Sequence, residues 1–151
     1  MITKFLLFLL LMGVVSTLSA QSVNVDAQGV ALEGHDPVAF FTDQKPVKGV
    51  PSIKTTAEEA TYYFANNANL EAFKAEPKKY LPAYGGFCAY GVAKGSKVKV
   101  QIDTWQVTDG KLYLNYDQGV KTKFNKDVPG FVTKADANWP KVSTSNPLFS
   151  F

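Results

Sequence analysis

The chain carries a single thiol, Cys88, and a single imidazole, His35. Thiolate and imidazole together suit Cu(I), or Zn(II) if further ligands join. Asp36, Tyr84 and Tyr90 are the extra donors on offer, and a closed four-ligand zinc site would need a second copy of the chain. Cys88 follows Gly85-Gly86, where paired glycines permit turns that other residues avoid and leave N–H groups facing inward. It also stands at the start of a short predicted helix over 88–93, whose dipole would favour thiolate and lower the thiol pKa. A Cys–His pair is the minimum for nucleophilic thiol chemistry. No cysteine-hydrolase signature accompanies it, and no Cys-x-x-Cys pair exists for disulfide exchange. One-cysteine redox chemistry stays open through a sulfenic acid or a mixed disulfide, and predicts labelling by iodoacetamide at mildly acidic pH. The plain alternatives are a buried, inert Cys88 and a hydrogen-bonded structural His35.

Other motifs yield less. Asp36, ahead of Pro37, reads as a loop-capping carboxylate. Gly91-Val-Ala-Lys-Gly95 lacks the spacing of a phosphate loop. Glu58-Glu59 reads as a solvated turn. Tyr80, Tyr84, Phe87 and Tyr90 could line an apolar pocket for a ligand, but core packing is the favoured reading, as it is for Trp105, Tyr113 and Tyr116.

The first twenty residues have the order of a secretory signal. Met1-Ile-Thr-Lys4 is a basic start, Phe5–Val15 is apolar, and Ser16-Thr-Leu-Ser-Ala20 offers a cleavage site. The apolar run is short for a bilayer span, which favours cleavage over a stable membrane anchor. Both methionines, Met1 and Met12, fall in this segment, so the remainder has no thioether for a soft metal. About 130 residues remain, the size of one domain. Aromatics make up 13% and charged residues 19%, a composition that can build a core and is not that of a disordered chain. The net charge of +3 is spread out and carried by lysine with no arginine, which argues against nucleic acid and against an anionic-membrane anchor.

Positioning elements follow from pattern. Residues 21–30 read as a flexible leader. Val38-Ala-Phe-Phe41 reads as a strand, 44–51 as a loop, and Thr61-Tyr-Tyr-Phe64 as a strand. Asn66 or Asn67 caps a helix over 67–76, stopped by Pro77. Lys97–Gln101 alternates like a strand. Trp105–Thr108 and Lys111–Asn115 flank Asp109-Gly110, a two-residue hairpin signal. A helix is predicted around 117–126 and a last one from Pro129 towards Trp139-Pro140. The tail 143–151 reads as frayed. The class is α+β, a small antiparallel sheet with several short helices.

Gly34-His-Asp-Pro-Val-Ala-Phe-Phe41, Thr61-Tyr-Tyr-Phe-Ala65 and Phe73-Lys-Ala-Glu-Pro-Lys-Lys-Tyr80 resemble, in order and spacing, the YHS domain. Pro82–Gly91, Trp105–Tyr116 and Lys134–Pro140 resemble a branch of exported, stand-alone YHS proteins. The resemblance implies one YHS-like domain over 31–142. YHS relatives include metal-transporting ATPases and proposed copper sensors, whose cysteines correspond here to Ala39, Ala65 and Ala68 or a neighbour. The stand-alone branch keeps Cys88, where some members carry selenocysteine, which implies a reactive chalcogen.

The combined expectation is a non-enzymatic, exported binding module, periplasmic or secreted. It would bind a soft metal ion such as copper through Cys88 with help from His35. The alternatives are a single-cysteine redox protein and an interaction domain with an inert Cys88.

Overall fold

A computed structural model describes residues 22–146. The expected signal over 1–20 and the last part of the tail lie outside them. The architecture is α+β, with six α-helices and two separate two-stranded antiparallel sheets among the described residues.

The first sheet pairs β1 (Val50–Ala57) with β2 (Ala60–Phe64) across a tight turn at Glu58-Glu59. Both turn residues have positive φ, +50° and +65°, as a type I′ connection needs. β2 alternates strictly, burying Ala60, Tyr62 and Phe64. Its partner β1 starts inside the segment expected to be a loop. It is mostly exposed and carries few apolar residues, so it leaves no hydrophobic period to read.

The second sheet is the expected hairpin. β3 (Gln101–Thr108) meets β4 (Lys111–Asn115) with Thr108 opposite Lys111, and Asp109-Gly110 turns at φ +51° and +73°. The strand expected at Lys97–Gln101 begins only at Gln101. β4 is buried on both faces. Leu112 and Leu114 enter a core with Phe40, Tyr62, Phe64 and Phe73, whereas Tyr113 points the other way among Tyr84, Phe87 and Phe124. One strand thus forms the wall between two hydrophobic clusters.

Four expected helices form, each with a named cap. α2 (Asn67–Ala75) starts at Asn66, whose side chain accepts the Asn69 N–H at 2.8 Å. Pro77 ends it and opens α3 (Pro77–Tyr80). Cys88 precedes the short α4 (Ala89–Ala93). Asp117 caps α5 (Gln118–Phe124), and Asp127 caps α6 (Val128–Val142). α6 runs through Pro140, and the Ser143 N–H still reaches the Trp139 carbonyl at 2.7 Å. α4 packs on α6, where Asn138 Nδ2 donates to the last carbonyls of α4, Val92 at 3.0 Å and Ala93 at 3.1 Å.

Two expectations are corrected. Val38–Phe41 is not a strand: the segment forms α1 (Ala39–Thr42). The cause is Asp36, whose Oδ1 accepts the N–H groups of Val38 at 2.8 Å and Ala39 at 3.4 Å and so organises a helical first turn. Residues 22–30 are not a loose leader either. Val23 is buried, the Asn24 N–H donates to the Gly85 carbonyl at 2.8 Å, and Val25 and Val30 bridge to Ala31 and Thr61.

Asp36 also ties the first core together. It is fully buried, and its Oδ2 accepts from the Ala65 N–H and from Asn69 Nδ2, each at 2.8 Å. The carboxylate therefore links the loop before α1, the end of β2 and the start of α2. Both oxygens must accept, so Asp36→Asn should destabilise almost as much as Asp36→Ala, each by about 3 kcal/mol in urea unfolding. An Asn variant close to wild type would contradict this reading.

Candidate functional site

The segment Pro82–Cys88 connects α3 to α4 and shapes two neighbourhoods, one closed and one open. Tyr84, Gly85 and Gly86 hold φ of +55°, +60° and +79°, three left-handed residues in a row. Gly85 is the tightest: a Cβ there would lie 1.9 Å from the Ser22 carbonyl oxygen. A side chain at 85 therefore meets both backbone strain and a collision with the N-terminal segment.

The closed neighbourhood holds Cys88, which is 1% exposed. Its N–H donates to the Val98 carbonyl at 3.0 Å, and it bridges in parallel to Leu114 of β4. The sulfur accepts the Gly91 N–H at 3.3 Å and points its own hydrogen at Asn115 Oδ1, 3.6 Å away. The same Oδ1 accepts the Tyr90 N–H at 3.2 Å. Burial pushes the thiol pKa up, and N–H groups from Gly91, Tyr116 and Tyr90 pull the other way without winning. The expected helix start at Cys88 is therefore present, but desolvation outweighs its effect on the thiol.

His35 occupies another setting. Its Nδ1 lies 2.9 Å from the Leu32 carbonyl, and its backbone bridges to Lys48. Burial pushes the imidazole pKa below its ordinary value, so the ring is neutral at pH 7 with Nδ1 engaged. No hydrogen bond or strand bridge joins His35 to Cys88 among the described residues, nor is any group of three or more His, Cys, Asp or Glu placed to hold a metal ion there. Of the extra donors considered, Asp36 is committed to N–H groups, Tyr84 to Asp136, and the Tyr90 ring packs on Phe131 at 5.0 Å.

The open neighbourhood is a groove of about 790 Å³ between the Glu58-Glu59 turn, the 81–85 segment and α6. That volume lies within the range of small-ligand sites. Tyr84 lines it, with its hydroxyl donating to Asp136 Oδ1 at 2.8 Å and its ring 5.9 Å from that of Trp139 in an edge-on arrangement. Burial and the Asp136 carboxylate hold the Tyr84 hydroxyl protonated across the ordinary pH range. Lys78 and Lys111 add positive charge to the walls, and Glu58, Glu59 and Asp136 add negative charge.

Sequence reading found Cys88 and His35 and raised Tyr84 as a pocket residue, but missed Asn115 and the other walls of the groove. Asn115 sits at the end of a hairpin strand, with nothing local to distinguish it from a surface polar residue. The groove joins residues more than fifty positions apart, such as Tyr84 and Asp136.

A sealed thiol with a raised pKa should alkylate slowly. In native protein, iodoacetamide should label Cys88 at least about tenfold more slowly than in urea-unfolded protein, with a midpoint above that of a free thiol, ~8.5. Rapid native labelling at mildly acidic pH would contradict the geometry.

A comparison of the chain with known protein families, with curated proteins and with solved structures finds no match.

Proposed function

We propose that the chain is a non-enzymatic, exported binding module of YHS type that takes a peptide-sized ligand in the groove between the Glu58-Glu59 turn and α6. The observation that carries this reading is the tethered aromatic pair, Tyr84 hydrogen-bonded to Asp136 and set edge-on to Trp139, in an open groove of about 790 Å³. The half-buried Trp139 ring offers apolar contact at low entropic cost, because the buried Tyr84 ring, tied to Asp136, backs it from the core. Lysines and carboxylates on the walls match the mixed charge of a peptide. Tyr84 itself holds a left-handed φ of +55°, a strained conformation for a residue with a side chain, of the kind that clusters at functional sites. The export signal at residues 1–20 and the YHS-like motifs support the remaining parts of the reading.

Binding of copper through Cys88 and His35 has less support. The sulfur is enclosed, and no third donor joins the two among the described residues.

The test is a titration with a library of hexapeptides, each carrying one aromatic and one charged residue, followed by isothermal titration calorimetry. A subset should bind, and Trp139→Ala should weaken that binding at least about tenfold, roughly 1.4 kcal/mol, at a temperature where circular dichroism shows the variant folded. Equal binding by wild type and Trp139→Ala, or no binding by any peptide, would remove the groove from consideration.

A further inference from the structure

Tyr84 lies between two oxidisable rings and against a base. Its hydroxyl donates to Asp136 Oδ1 at 2.8 Å, within reach of direct proton transfer. Its ring centroid is 5.9 Å from that of Trp139 and 6.1 Å from that of Tyr113. Both are separations of rings in contact, so an electron can pass directly between them. The groups differ in access. Trp139 is half-buried on the groove wall and Asp136 is exposed, whereas Tyr84 and Tyr113 are buried. An electron can thus leave through the indole at the surface, and a proton through a carboxylate that water reaches. Beyond Tyr113 stands the Phe124 ring at 5.6 Å, which has no O–H or N–H proton to lose and ends the series. Tyr62 gives the contrast: its ring lies 5.4 Å from that of Phe73, and its buried hydroxyl has no hydrogen-bond partner.

We propose that Tyr84 is a one-electron oxidation site, reached through Trp139 and relieved of its proton by Asp136. The co-reactant is a one-electron oxidant that approaches the groove wall and need not enter the core. It takes an electron from the Trp139 indole and is itself reduced by one electron. The Tyr84 ring returns an electron to the indole while its hydroxyl proton moves to Asp136 Oδ1. The phenol O–H bond breaks and a carboxyl O–H bond forms. The products are an intact Trp139, a neutral phenoxyl radical at Tyr84 and a protonated Asp136, which passes its proton to water.

Asp136 is the group that makes this phenol oxidisable. Loss of an electron alone would leave a radical cation in a residue that is 7% exposed, and burial disfavours a charge. Burial and the carboxylate also keep the hydroxyl protonated beforehand, so the proton has to leave together with the electron. The radical that remains is uncharged and is covered by Trp139 and Tyr113. No ligand in the groove takes part, so this inference and peptide binding stand or fall separately.

The experiment oxidises the folded full chain with photogenerated ruthenium(III) tris-bipyridine, using a cobalt(III) ammine quencher. Transient absorption then follows the indole and phenoxyl radicals. In the wild type the indole signal should decay as the phenoxyl signal grows, and the growth should slow in heavy water. The growth should be lost in Tyr84→Phe and in Trp139→Phe and retained in Trp105→Phe. Asp136→Asn keeps an oxygen that accepts the hydroxyl but is no base, so the indole radical should persist in it. Phenoxyl growth that survives in Tyr84→Phe or in Trp139→Phe, that is lost in Trp105→Phe, or that keeps its rate in Asp136→Asn would overturn the proposal. Circular dichroism shows which variants fold. Where one does not, the wild type decides alone: no phenoxyl growth, or growth indifferent to heavy water, would refute the assignment.

Discussion

Tyr84, Gly85 and Gly86 reverse the chain with three successive left-handed residues, and much of the molecule is arranged around that reversal. The Ser22 carbonyl packs where a Cβ of residue 85 would be, and Asn24 bonds to the carbonyls of Gly85 and Gly86. The N-terminal segment is therefore locked onto the turn and cannot behave as a leader. On one side of the reversal the buried Tyr84 ring packs against Trp139 and its hydroxyl reaches Asp136, both of α6. On the other, Phe87 and Cys88 are drawn under β4 and α4. The open groove and the closed sulfur niche are two consequences of one backbone constraint.

β4 supplies the complementary wall. Its alternation sends Leu112 and Leu114 to one cluster and Tyr113 to the other, and its last residue is Asn115. A strand buried on both faces must place its polar end inside the protein. Thr104 resolves most of that difficulty by accepting the Asn115 N–H and donating towards the Asn115 carbonyl at 2.8 Å. The side-chain Nδ2 is the group left over. The unpaired donor beside Cys88 is thus a by-product of the same packing that joins the two cores.

Local chemistry in the sequence announced the parts of the fold governed by local rules. Asn66 announced α2, Asp109-Gly110 announced the hairpin, and Asp36 announced a capped loop. The α+β class followed from those elements. Failures arose where a contact from outside the segment itself decides. Val38–Phe41 has the composition of a strand, but the Asp36 carboxylate two residues upstream turns it into a helix. β1 carries too few apolar residues to show a period, and exists because β2 offers it an edge. Cys88 was identified as the pivotal sulfur, yet its exposure depends on Val98, Leu114 and Asn115, which the residues around it do not reveal. Tyr84 is core, as its pattern suggests, but its hydroxyl partner on α6, which brings it to the edge of a groove, is beyond local reading.

The claim on which this account most depends is that position 85 tolerates only hydrogen because the Ser22 carbonyl occupies the adjoining space. Gly95 is the natural control, since it too has positive φ, +89°, but a Cβ there would meet nothing within 4 Å. Paired unfolding measurements on Gly85→Ala and Gly95→Ala separate the collision from the left-handed backbone alone. The backbone component is about 1–2 kcal/mol for either substitution. The account predicts that Gly85→Ala loses at least about 2 kcal/mol more than Gly95→Ala. Equal losses in the two variants would contradict it.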